Sequence, residues 1–89
     1  IDFAFIDGDH TYEGVKADFN EYGPLVKPGG IIAFHDILYR EKQPSIRVDI
    51  LWKELQDKYN CTEFIGPEGS GQKIGIGFLR VPDDGIKPI

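Results

Sequence analysis

Cysteine is almost missing from this chain of 89 residues, and the single Cys61 cannot form an internal disulfide. A lone thiol fits a reducing compartment, so a cytoplasmic location is expected. Positive charge is also scarce: ten Lys and Arg stand against fifteen Asp and Glu, a net charge of −5. A nucleic-acid partner needs a basic stripe to meet its phosphates, and this balance argues against one. No apolar run approaches the roughly 18 residues that a membrane span requires. The opening residues carry Asp2, Asp7 and Asp9 and lack the basic region that begins a signal peptide. Position 1 is not methionine but Ile1, inside what reads as a buried strand. A natural domain seldom opens in mid-core, so the sequence is expected to be a fragment of a longer domain.

The rest of the composition is that of an ordinary globular protein, 40% hydrophobic and 28% charged. A chain of this size buries only about 60–65% of its unfolded surface, enough for a thin core. The most informative segment is Phe5-Ile6-Asp7-Gly8-Asp9-His10, where an apolar run ends abruptly in two acids and an imidazole. A second apolar run, Ile31 to Phe34, ends in His35-Asp36. Ligands of open α/β sheets bind at the carboxyl ends of the strands. If the two strands are neighbours, their ends lie only about 4.8 Å apart. Asp7, His35 and Asp36 could then reach one common point.

Between these runs, Thr11 is placed as a helix N-cap, with Tyr12, Val15, Phe19 and Tyr22 following at helical spacing as a core stripe. Gly23-Pro24 ends that helix, and Lys27-Pro28-Gly29-Gly30 makes a turn. Strand, helix, turn and strand form a βαβ unit, which predicts two parallel strands. Residues 1–7 read as a near-continuous apolar run, the pattern of a parallel strand covered on both faces. Residues 37–44 are expected to be a polar loop leaving the site edge, a candidate acceptor lid. A second helix is expected from about Ser45 to Tyr59, with Val48, Leu51, Trp52, Leu55 and Tyr59 on one stripe. Cys61 to Ile65 and Lys73 to Val81 read as strands joined by the loop Gly66 to Gly71. Ile74, Ile76 and Phe78 alternate with Gly75 and Gly77, which predicts close approach of another element on the glycine face. Residues 1–81 are taken as the domain and 82–89 as an irregular tail.

Phe5-Ile6-Asp7-Gly8-Asp9-His10-Thr11-Tyr12-Glu13-Gly14-Val15-Lys16, with Pro24-Leu25-Val26-Lys27-Pro28-Gly29-Gly30-Ile31-Ile32-Ala33-Phe34-His35-Asp36, resembles class I S-adenosylmethionine-dependent methyltransferases. The nearest likeness is to the branch of cephalosporin hydroxylase-like and macrocin O-methyltransferase-like proteins. The resemblance runs from residue 1 to about residue 81. It implies the carboxyl-side half of a Rossmann-like α/β sheet, strand order 4-5-7-6, with the last strand antiparallel and two main helices. The family's first three strands, its glycine-rich cofactor loop and its ribose-binding acid have no counterpart in this sequence. S-adenosylmethionine binding therefore requires that other half, and the chain alone is expected to be inactive. The bare flank of the first strand predicts a homo-oligomer, paired through residues 1–7.

The function implied by the resemblance is O-methylation of a small hydroxylated acceptor, with possible help from a divalent metal. Carried across by position, the metal ligands are Asp7, His35 and Asp36, with magnesium the metal most usual in the family. Imidazole at His35 suits zinc, manganese or iron better, which leaves the metal open. Asp9 or His10 would remove the acceptor proton, and Asp7 with Gly8 would touch the cofactor. Structural roles compete with these. Asp7 could cap the following helix, Asp9 could form an Asx-turn, His10 could be a packed or loop histidine, and His35-Asp36 could be hydrogen-bonded loop formers. Asp7-Gly8-Asp9 also fits the Asp-x-Asp of metal-dependent nucleotide-sugar glycosyltransferases. A non-catalytic, oligomerising half-domain is the remaining alternative.

Overall fold

The computed structural model describes residues 1–6, 11–35, 37, 47–67 and 73–88. Its elements, in order, are β1 (Phe3–Ile6), α1 (Tyr12–Tyr22), a 3-10 turn (Gly23–Leu25), β2 (Ile31–His35), α2 (Val48–Lys58), β3 (Asn60–Pro67) and β4 (Lys73–Arg80). The strands form one mixed sheet in the order β1-β2-β4-β3. β1 and β2 run parallel, with Phe3 opposite Ile31 and Ile6 opposite Phe34. β4 is antiparallel to both β2 and β3. This is the expected 4-5-7-6 half-sheet, an α/β arrangement consistent with half of a Rossmann-like domain.

Local chemistry accounts for the element ends. The Thr11 hydroxyl oxygen accepts from the Gly14 N–H at 3.1 Å, satisfying one of the orphan donors at the start of α1. Gly29, at φ 84°, turns the chain into β2 in a region that side chains with a Cβ avoid. At Gly30 a Cβ would press on the carbonyl oxygens of Asp2 and Lys27, at 2.7 and 2.9 Å. Only glycine lets β1 and this turn come so close.

The core lies on one face of the sheet. Ile6, Ile32, Phe34 and Leu79 from the strands meet Val15 and Phe19 of α1 and Leu51, Trp52 and Leu55 of α2. Phe19 and Phe34 pack with ring centroids 6.1 Å apart, and Phe34 and Trp52 at 5.6 Å. The close approach expected over the glycine face of β4 is the indole of Trp52, which lies directly on Gly77. Trp52 also donates from Nε1 to Glu63 Oε1 at 2.6 Å, as does Gln56 Nε2, fastening α2 to β3. Ile86 folds back from the irregular tail into the same core, against Gly23.

Several expectations are corrected. The first strand is covered on one face only. Alternation sends Ala4 and Ile6 toward the helices, while Phe3 and Phe5 stay about half exposed, because both helices lie on the same side. Tyr22 is 45% exposed, at the last residue of α1. The described part of the second helix begins at Val48, not Ser45, and residues 38–46 lie outside the described residues. Ile37, assigned to a polar loop, is buried in the core. Gly66 and Pro67, assigned to the hairpin loop, extend β3 and pair with Ile74 and Lys73.

Candidate functional site

The parallel register of β1 and β2 sets the site. Ile6 lies opposite Phe34, so the two strands end level with one another. His35 closes β2 opposite Ile76 of β4, half buried, with its Nδ1 enclosed from solvent. Asp7, Gly8, Asp9, His10 and Asp36 lie outside the described residues. Of the expected site, the structure therefore positions His35 and the strand end that leads directly into Asp7. Among the described residues no group of three His, Cys, Asp or Glu side chains gathers around a common point.

Connectivity brings both helix starts to the same edge. α1 follows the end of β1, and α2 begins after the end of β2 and finishes just before Asn60 at the opposite edge. Helix N-termini carry partial positive charge, which favours carboxylates and other anionic groups there. Two polar contacts at these helix starts had no signal in the sequence pattern. Tyr12 donates its hydroxyl to Glu54 Oε1 at 2.6 Å, tying the first turn of α1 to α2. That hydrogen bond, with the negative charge of Glu54, holds the Tyr12 phenol above its ordinary pKa. Arg47 grips the buried Asp49 through Nε and Nη2 at 3.1 and 3.3 Å, fixing the first turn of α2. Both join residues far apart in space in the unfolded chain or too close in sequence to stand out by periodicity.

Cys61 stands apart from this edge, near the start of β3. Burial, reinforced by the nearby Glu63 carboxylate, pushes its thiol up to about 11. Only thiolate reacts, so Cys61 should react with a disulfide reagent at mildly alkaline pH about 100-fold more slowly than an unperturbed cysteine. A colorimetric thiol assay on the native and urea-unfolded chain measures this. Equal rates in the two states would contradict the buried environment.

Comparison with known proteins points to one class. Residues 1–37 match the model of a family described as a methyltransferase domain, the span from β1 through α1 and β2 to Ile37. The match supports a methyltransferase domain over that βαβ unit. The chain is similar to uncharacterized protein R132 of Acanthamoeba polyphaga mimivirus, 56% identical over 83% of this chain and 37% of that protein. It is also similar to uncharacterized protein y4gI of Sinorhizobium fredii, 42% identical over 62% of this chain and 6% of that protein. The chain thus spans little more than a third of the first relative and a small part of the second. No solved structure matches it.

Proposed function

We propose that these residues are the carboxyl-side half of an S-adenosylmethionine-dependent methyltransferase that methylates a hydroxyl of a small acceptor. The observation that carries this reading is the coincidence of the methyltransferase-domain match with the one βαβ unit whose strand ends are level. In the sequence, Asp7, Asp9 and His10 follow directly on the end of β1, and Asp36 follows His35 at the end of β2.

In this reading the acceptor sits at the ends of β1 and β2. Asp7, His35 and Asp36 would hold a divalent ion, and the half-buried imidazole at the end of β2 suits that use as a nitrogen donor. Two carboxylates with one imidazole fit manganese, iron or zinc at least as well as magnesium. A bound ion there would lower the pKa of the acceptor hydroxyl and orient it. Asp9 or His10 would take the hydroxyl proton. Asp7 and Gly8 would border the cofactor. Methyl transfer itself then needs chiefly in-line proximity.

Two measurements test this. In the complete gene product that contains these residues, calorimetry should detect S-adenosylmethionine and not a nucleotide sugar; the reverse result overturns the reading. In the 89-residue chain, manganese should broaden the NMR signals of the His35 imidazole, and Asp7→Asn with Asp36→Asn should abolish that broadening. Broadening that survives both substitutions places the ion elsewhere.

A further inference from the structure

An open groove of about 450 Å³ lies where α2 ends, β3 begins and β4 stops. Lys58 is the last residue of α2, and Asn60 is the first of β3. Arg80 ends β4, opposite Asn60 on one side and Ile31 on the other. All three line the groove, and Tyr59, Pro82 and Asp83 add to its wall. Ile31 opens β2 and His35 closes it, so the groove stands roughly 13 Å from the candidate site along that strand. No residue of β1 lines it, and β1 is the far edge of the sheet from β3.

This corner carries positive charge in an acidic chain. Lys27, Arg47 and Lys87 are each paired with a carboxylate. Lys58 and Arg80 are exposed and have no such partner among the described residues. Asp83 is the one acid in the lining, so cations outnumber it two to one. A helix carboxyl end carries partial negative charge, which Lys58 partly offsets. Arg80, at a strand end, has no such claim on its charge and is the stronger anion ligand of the two.

Two cations match the two charges of a phosphate monoester, and a guanidinium can bond two of its oxygens at once. The Asn60 amide and the Asp83 carboxylate are the groups that hydroxyls bond. The volume is that of a small-molecule site, within the usual range of about 300–1,000 Å³, and far more than a bare phosphate ion fills. We propose that the groove binds a small phosphorylated polyol of the sugar-phosphate class. Arg80 and Lys58 take the phosphate, and Asn60 and Asp83 take the hydroxyls.

Calorimetry on the complete gene product that contains these residues tests this with three probes. Glucose 6-phosphate should bind at least about tenfold more tightly than inorganic phosphate, and glucose should give no signal. Arg80→Gln should weaken glucose 6-phosphate about tenfold or more, and Arg80→Gln with Lys58→Gln should abolish its binding. Both positions are exposed, so the core is untouched. Asp83→Ala should erase the preference for the sugar phosphate over inorganic phosphate. Lys53→Gln, on α2 but outside the groove, should change nothing. Absence of glucose 6-phosphate binding overturns the inference. So does binding that survives the double substitution, or an equal loss from Lys53→Gln. None of these readouts involves methyl transfer or S-adenosylmethionine, so failure here leaves the functional reading standing.

Discussion

Adding one methyl group at position 77 should remove much of this domain's stability. The Cβ of Gly77→Ala would stand 2.5 Å from Cη2 and 2.7 Å from Cε2 of Trp52, with Cζ2 as close, distances that real Cβ atoms do not adopt. Something must move, and the indole has little freedom to do so. It is 2% exposed, packed at a tilt against Phe34, and held by its hydrogen bond to Glu63. Forced overpacking of a filled core costs about 1–3 kcal/mol and sometimes more, and this site belongs at the upper end. A loss of about 3 kcal/mol would lower the melting temperature of a domain this small by roughly 12–24 °C. The same substitution in a Trp52→Phe background should cost clearly less, with a coupling of at least about 1 kcal/mol in the double-mutant cycle. Urea unfolding of the four chains measures it. Strict additivity would show that the indole does not rest on Gly77 in solution.

Truncating Phe19 should be the most damaging single deletion of side-chain volume. Phe19 has no exposed surface and joins α1 to both β2 and the end of α2, through Phe34 at 6.1 Å and Tyr59 at 6.4 Å. A buried Phe→Ala change costs roughly 3–5 kcal/mol in lost transfer energy and residual cavity. A domain of this length has a total stability of only about 4–13 kcal/mol. Phe19→Ala should therefore leave much of the chain unfolded at room temperature. Tyr22→Ala makes the informative contrast, because Tyr22 shares the helical stripe but is 45% exposed. Its cost should stay under about 1 kcal/mol. Equal losses at the two positions would mean that α1 packs along its whole length.

That contrast marks how far pattern reading went. Spacing along α1 identified Val15 and Phe19 correctly and overreached at Tyr22, because periodicity gives a direction around the helix but not where its neighbour stops. Alternating glycines in the last strand pointed to a close contact there, and Trp52 supplies it. Nothing in the pattern could say which residue would arrive. Ile86 sits among turn-forming neighbours and is buried because the tail returns to the core against Gly23, and Ile37 joins the same core just beyond the end of β2. The candidate site was legible as composition at two strand ends, and the structure adds the level register of β1 and β2 and the half-buried place of His35.

The residues alone settle the order of elements, the parallel pairing of the first two strands, and the crowding of acids and imidazoles after them. These are local or nearest-neighbour properties: apolar runs, a cap at Thr11, glycines at a turn, and a helix of the right length between two strands. Which sheet face is covered was decided only by the assembled fold, since it depends on where α1 and α2 both land. Their landing on one side leaves Phe3 and Phe5 half exposed along a free edge. An apolar strand reads the same whether one face or two will be buried, because hydrophobicity records a demand for cover and not the identity of what meets it.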